Sequence, residues 1–444
     1  MHASLWVSGC RVNGPRPAVI LGGQETALPV ARSLGRAGIP VHAVGHRDDP
    51  IRHSRYCTTF ADLGSRARVQ ERLLDWLLTG PHTGVLMPCS DHGLEVVSHN
   101  RAAIVERGHL PFEADDDVVR AMLDKERTYA IADQVSVARP TSFTVRDPSQ
   151  LRAALDAAVF PCGLKPLIRH VFAERSGIDE KVIVVDGASE LERFLRIGLE
   201  VDCPLMVTEI IQGGDDQLVG YFSYLDEDGR PLFQFTNRKL RQNPIHFGVG
   251  CYVIGEWDPE VADLGLRFLQ GAGVRGVAHV EFKRDAREGR LKLIECNHRF
   301  NLAIGLLTAS GLDVPLLLYN RLVGRAGPEL GRGRTGLRLW HPLHDVRALR
   351  AYRRAGELTT VEWLRSLMHP QHFTVFSRDD PKPSVVRHGK WLVRQVRKRA
   401  RQVLARVKPS PSAGANGLEQ SRSPTPRSRA QTGRRFALRP RARR

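Results

Sequence analysis

The chain has 444 residues, 42% of them hydrophobic, with 66 Lys and Arg against 48 Asp and Glu, a formal net charge of +18. That length suffices for two or three domains with sizeable cores, and the lack of any run of 18 apolar residues excludes a helical membrane span. The charge is unevenly placed: from Lys382 onward there are 19 basic side chains and one acid, Glu419, while residues 1–381 hold 47 of each sign. The body therefore does not read as a nucleic-acid binder, and the basicity belongs to an appendage. Seven cysteines, at 10, 57, 89, 162, 203, 251 and 296, show no CxxC or paired zinc spacing, which points to reduced thiols. Residues 1–11 lack the basic and apolar regions of a secretory signal, so a cytoplasmic protein is expected.

In chain order, Ala18-Val19-Ile20-Leu21 reads as a strand entering Gly22-Gly23, followed by a helix over about 26–37 and a second strand over 41–44. This is a βαβ unit of Rossmann-like type, although Gly22-Gly23-Gln24-Glu25 is not GxGxxG and is weak as a dinucleotide fingerprint. Another strand, 85–88, runs into Cys89-Ser90-Asp91. Ser90 and Asp91 either meet a substrate at the strand end or cap a helix near 94–100. Residues 111–205 read as two helices, a small β-rich lobe around 160–185 and a helix near 189–198; residues 205–325 form a larger lobe. Past 325 come helices near 345–355 and 360–368, to which no function is assigned.

Val385, Leu392, Val396, Val403 and Val407 recur at helical spacing among many Arg and Lys, predicting a basic amphipathic helix. After Pro409 the Ser, Pro, Gly and Arg-rich remainder is too polar to fold and is expected to be disordered. Such a helix suggests adsorption to an anionic membrane surface. A solubilising tail, nonspecific nucleic-acid binding and packing of the apolar face on the body are the other readings.

The most informative stretch is His279-Val280-Glu281-Phe282-Lys283 followed, after a charged turn, by Leu293-Ile294-Glu295-Cys296-Asn297-His298-Arg299. Both read as strands. Successive side chains alternate faces, so Glu295 and Asn297 project together and a hairpin closed over 284–290 sets Glu281 beside them, with Cys296 pointing away. Two carboxylates and an amide oxygen are hard ligands suited to Mg²⁺ held with nucleotide phosphates. Lys125 opens a helical stretch, and Lys165 sits on a short apolar strand where a lysine needs a partner. Lys125 beside Asp124 also fits an ordinary exposed helix pair, and His279 a core histidine.

Taken in order with Glu209-Ile210-Ile211, Asp215 and the Arg238-Lys239-Leu240-Arg241 cluster, these motifs make residues 17 to 325 resemble the ATP-grasp superfamily, and within it the carboxylate–amine ligases similar to D-aspartate ligase and the large subunit of carbamoyl-phosphate synthase. The resemblance implies an α/β chain of α+β ATP-grasp type. A Rossmann-like pre-ATP-grasp domain would span 17–110, and a two-lobed ATP-grasp domain 111–325, with a small lobe at about 130–204 and a large lobe at about 205–325. A C-terminal extension at 326–380 and a basic helix with a disordered tail at 381–444 would complete it. It also implies ATP, with Mg²⁺ or Mn²⁺. Lys125 and Lys165 would meet the α- and β-phosphates, the backbone of Glu209, Ile210 and Ile211 adenine, and Asp215 or Asp216 the ribose. Lys239 would lie near the γ-phosphate, with Glu281, Glu295 and Asn297 as metal ligands and Arg299 assisting catalysis. Two departures stand out: His279 replaces a common arginine, and the loop 167–177 has only Gly177, so that Arg169, His170 or Lys181 would supply charge instead.

The reaction so implied is amide formation from a small-molecule carboxylate and an amine through an acyl phosphate, with ADP and phosphate released. Such chemistry needs positioning and charge neutralisation rather than a nucleophilic side chain. The alternatives are an enzyme activating bicarbonate, in the manner of carbamoyl-phosphate synthesis or carboxylation, and a non-catalytic nucleotide-binding scaffold. The cellular place expected is the cytoplasm, peripherally at the inner face of the membrane through the tail.

Overall fold

The computed structural model describes residues 14–407 apart from 168, 326, 328 and 329. Its first sheet is parallel and four-stranded, in the order Thr59–Asp62, Val41–Gly45, Ala18–Leu21, Val85–Pro88. The three strands Ala18–Leu21, Val41–Gly45 and Val85–Pro88 are buried throughout, as a parallel sheet covered on both faces requires. Helix Ala27–Arg36 leaves the first strand through Gly22 and Gly23, both at positive φ. A Cβ on Gly23 would stand 2.4 Å from that of Cys89, so this turn packs directly on the end of the neighbouring strand.

The second sheet is antiparallel, in the order Ser142–Val145, Leu205–Glu209, Cys162–Pro166, Ile183–Val185. Helices Leu151–Ala157 and Ala188–Glu200 close its core around Leu164, Leu191 and Phe172. The third sheet is eight-stranded and carries the acidic hairpin at one edge. Its order is Leu291–Asn297, Gly276–Arg284, Leu218–Leu225, Pro231–Asn243, Val249–Gly255, Arg338–Trp340, Gln371–Phe373, with Gly331–Arg332 beside Pro231–Asn243. The large sheet therefore does not stop at residue 325: three short strands of the following segment join it, and one of them, Arg338–Trp340, covers what would be an open edge along Val249–Gly255.

That segment is fastened at two buried points. The Asp345 carboxylate, on helix Pro342–Ala355, accepts from Arg241 Nε at 2.6 Å and Nη2 at 2.8 Å, and from the indoles of Trp340 and Trp363, each at 2.9 Å. Asp380 accepts from Arg32 Nε at 3.0 Å and Ser54 Oγ at 2.7 Å, tying the segment to the first domain. Beyond it, helix Lys382–Val407 lies over that domain, with Lys390 Nζ 2.8 Å from Asp48.

The helix forms where periodicity predicts, but its apolar stripe faces outward: Val385, Leu392, Val393 and Val396 are 68%, 58%, 49% and 59% exposed. Pro383, Ser384 and the half-buried Arg387 and Trp391 turn inward instead, so the apolar face does not pack on the body. Val403 and Val407 fall where side chains are not described, and the tail from 408 lies outside the described residues. The six described cysteines are free thiols, and no described helix is long and apolar enough to cross a membrane.

Asp345→Ala is expected to destabilise the protein by about 3–5 kcal/mol, because it leaves the Arg241 guanidinium buried without its counter-charge. A urea midpoint indistinguishable from wild type would remove this carboxylate from the account.

Candidate active site

In the hairpin of Gly276–Arg284 and Leu291–Asn297, Glu281 pairs with Glu295 and His279 with Asn297 across the ladder. The intervening Val280, Phe282, Leu293 and Cys296 are buried in the core on the other face. Strand alternation thus brings Glu281, Glu295 and Asn297 together, with Cys296 away from them. Asn297 Nδ2 is 3.2 Å from Glu295 Oε1, and Lys239 Nζ forms an ion pair with Glu281 at 2.5 Å.

Burial alone would raise the Glu295 pKa, but the ammoniums of Lys181, Lys125 and Lys239 outweigh it and hold the carboxyl well below the usual carboxylate range. Lys239 is likewise opposed by burial, yet Glu281 and Glu295 raise its pKa. For Lys165, Glu295 is too weak a counterweight. Burial, with Lys125 and Lys181 adding like charge, pushes it down to about 8. A lysine depressed in this way is a ready receiver for phosphate charge.

The lysines reach this point from separate elements. Lys125 is the first residue of helix Lys125–Gln134, whose cap Asp124 accepts from the backbone N–H groups of Glu126 and Arg127. Lys165 comes from Cys162–Pro166, Lys181 from just before Ile183–Val185, and Lys239 from Pro231–Asn243. They line a cleft of about 330 Å³ together with Glu209, Ile210, Ile211, Glu281 and Glu295. The Glu209 side chain is committed to Lys292 Nζ at 2.9 Å and to Arg287. Its place in the cleft is thereby left to its main chain.

Asp215 and Asp216 do not join the cleft lining. Asp215 is buried, accepting from His246 N at 2.9 Å and from the Tyr352 hydroxyl, while Asp216 is exposed. One oxygen of the Asp215 carboxylate is thus engaged in the cleft wall, and the ribose contact expected of Asp215 or Asp216 finds no support in the cleft lining. Gln242, His246, Phe247 and Lys283 line the cleft instead. Lys283 was accessible from sequence, since it lies two positions after Glu281 on one strand. The turn 243–248 was not. It is so tight that a Cβ on Gly248 would meet Pro244 O at 2.2 Å.

A larger cavity, about 760 Å³, opens on the other side of the same acids. It shares Lys125, Lys181, Lys239, Glu281 and Glu295 with the cleft and adds Gly22, Gly23, Asp91, Asn297, Arg299 and Asn301. Ser90 serves as a helix cap, its Oγ accepting from Gly93 N at 3.1 Å and donating to Leu21 O at 2.9 Å. Asp91 pairs with Arg299 Nε at 2.5 Å. His279 is 2% exposed, stacks on Phe222 at 3.8 Å and contacts Asn301 Nδ2 through Nδ1 at 2.7 Å. Burial pushes it down to about 4, so at neutral pH it is uncharged and does not replace the cation of an arginine. The side chains of Arg169 and His170 lie outside the described residues, and Lys181 is the one of the three expected substitutes placed in the site.

No family model matches the chain. It is 22% identical over 241 residues to the D-aspartate ligase of Enterococcus faecium (strain Aus0004), covering 52% of this chain and 56% of that protein. It is also 22% identical over 236 residues to the carbamoyl phosphate synthase large chain, C-terminal section, of Methanopyrus kandleri, covering 51% and 42%. The chain thus spans about half the length of the curated relatives it matches. Among solved structures, the biotin carboxylase domain of Hydrogenobacter thermophilus 2-oxoglutarate carboxylase, in complex with MgADP and bicarbonate, superposes with a TM-score of 0.56 at 16% identity, covering 73% of each chain. Aspergillus clavatus carboxyaminoimidazole ribonucleotide synthase, complexed with ATP, gives 0.55 at 12% identity, over 72% of this chain and 80% of that one. The parallel domain, the small antiparallel lobe and the large sheet bearing the acidic hairpin, together with these likenesses, give this chain the ATP-grasp fold.

Proposed function

We propose that this protein is an ATP-dependent carboxylate–amine ligase that forms an amide through an acyl phosphate and releases ADP and phosphate. The observation that carries the reading is the pairing of Glu281 with Glu295 at the junction of two cavities, faced by Lys125, Lys181 and Lys239. One cavity lies between the small sheet and the large one, and the other against the strand ends of the first domain. A nucleotide in the former and a carboxylate in the latter would meet at the acids. The ligase relative named for D-aspartate supports the carboxylate–amine class.

Lys125, Lys165 and Lys181 offset the phosphate charge, and the main chain of Glu209, Ile210 and Ile211 borders adenine. Glu281, Glu295 and Asn297 present oxygens of the hard type that Mg²⁺ or Mn²⁺ takes. When bound there, such an ion supplies Lewis-acid neutralisation of the phosphate oxygens. A substrate carboxylate oxygen attacks the γ-phosphorus and the bond to the ADP oxygen breaks; Lys239 remains beside the transferred group. The amine then attacks the acyl carbon, phosphate leaves and the amine loses a proton. Arg299, held by Asp91 in the second cavity, orients the carboxylate by exchanging that partner for the substrate. Residues 17–110 and 111–325 serve as the pre-ATP-grasp and ATP-grasp domains of this reading.

Glu295→Gln should lower ADP formation at least ~100-fold at saturating Mg²⁺, because the loss falls on transition-state charge rather than packing, while the thermal transition stays close to wild type. Near-wild-type turnover would remove Glu295 from the metal set. As a partner, we propose an anionic membrane surface for the outward stripe of helix Lys382–Val407, on the grounds of its exposed Val385, Leu392 and Val396 flanked by basic residues. Leu392→Asp with Val396→Asp should abolish low-salt sedimentation with phosphatidylglycerol vesicles and leave ADP formation unchanged. Equal sedimentation of variant and wild type would contradict this.

A further inference from the structure

A third cavity, about 430 Å³, lies where helix Lys382–Val407 crosses the ends of the strands Ala18–Leu21 and Val41–Gly45. Four basic side chains converge on it: Arg347 from helix Pro342–Ala355, and Arg387, Lys390 and Arg394 from the crossing helix. Lys390 is paired with Asp48 and Arg387 with Glu25. Arg347 and Arg394 are exposed and make no hydrogen bond or ion pair among the described residues, although Arg394 lies within electrostatic reach of Asp48. Two more polar groups of the lining are buried without a hydrogen-bond partner, the indole Nε1 of Trp391 and the ring Nε2 of His53. Buried polar groups are almost always satisfied, and here the indole N–H of Trp391, always a donor, sits unsatisfied in a cavity edged by guanidinium groups without an ion-pair partner. An anionic acceptor would satisfy the indole N–H and the two guanidinium groups, with Glu25 and Asp48 already neutralised by Arg387 and Lys390.

The cavity also has an address. Gln24, Glu25, His46, Asp49 and His344 line both this space and the larger cavity beside Glu281, Glu295 and Arg299. A ligand seated among the arginines can therefore extend along the first domain toward the acids. Two unpaired guanidinium forks and an indole N–H offer more donors than one carboxylate takes up, and they suit the several oxygens of a phosphoryl group.

Resting on the ligase reading above, we propose that this cavity binds a phosphoryl or diphosphoryl group carried by the substrate that enters beside Arg299, so that one partner in the ligation is a phosphorylated compound rather than a free amino acid. The anion is soluble and reaches the cavity as part of that substrate. A lipid headgroup would supply the same chemistry from a different source.

The test is equilibrium dialysis of radiolabelled inorganic pyrophosphate against the full-length protein saturated with the magnesium complex of AMP-PNP, which fills the nucleotide phosphate positions. One equivalent of pyrophosphate should bind to wild type and to Glu295→Gln, and Arg347→Ala with Arg394→Ala should weaken it at least tenfold. That double variant should still sediment with phosphatidylglycerol vesicles at low salt, since most of the helix's basic residues remain. Absence of pyrophosphate binding in wild type, or undiminished binding in the double variant, overturns the proposal. So does loss of vesicle binding with pyrophosphate binding intact, which would assign the arginines to lipid. Because the readout needs no turnover, it is distinguishable from failure of the ligase reading, which would appear as absent ADP formation.

Discussion

Two carboxylates placed side by side across a β-ladder repel each other, and a pair of unit charges about 4 Å apart costs about 4 kcal/mol at the screening typical of a protein cleft. Glu281 and Glu295 are held in that position, with Glu295 kept ionised. What makes this tenable is cation density supplied from elsewhere: Lys125 from a helix, Lys181 from the turn before the last strand of the small sheet and Lys239 from the large sheet. The acids thus draw separate parts of the chain onto one point. On the ligase reading proposed above, the same balance would prepare the site for exchange, with phosphates and a divalent cation taking the place of the lysine–carboxylate pairs.

The strand bearing Lys239 is itself held from behind. Strict alternation would point Lys239 and Arg241 to one face, but the ladder with Val249–Gly255 shifts register between them. The irregularity re-aims the second side chain, so Lys239 faces Glu281 while Arg241 reaches the buried Asp345. Through Trp340 and Trp363, the same carboxylate holds the segment after residue 325. This segment is part of the large sheet and also, through Asp380, a clasp onto the first domain. It carries the C-terminal helix to the mouth of the substrate side.

Much of this was legible from residues alone because the signals were local. The acidic hairpin was readable from period-two alternation around a charged turn, and Lys165 from the anomaly of a lysine among apolar strand residues. The N-terminal βαβ unit followed from glycines placed between a strand and a helix. What sequence alone did not show was decided by long-range interactions. Asp215 carries the right chemistry for a ribose contact, but Tyr352 and His246, the former 137 positions away, take its carboxylate into the wall. The strands Arg338–Trp340 and Gln371–Phe373 have three residues each, too short for any periodicity to show. For the C-terminal helix, periodicity located the helix and its apolar stripe, but not the side that packs. That side is set by ion pairs to Glu25 and Asp48, more than 300 positions earlier.

The ligase reading requires that a carboxylate be activated by phosphoryl transfer at Glu281 and Glu295. The most direct measurement uses a carboxylate substrate that supports ADP release, labelled with ¹⁸O in both carboxyl oxygens and turned over with ATP and the acceptor amine. An acyl phosphate intermediate predicts that each inorganic phosphate released carries one ¹⁸O atom, read by mass spectrometry. Phosphate free of label, with amide nevertheless formed, would contradict the account.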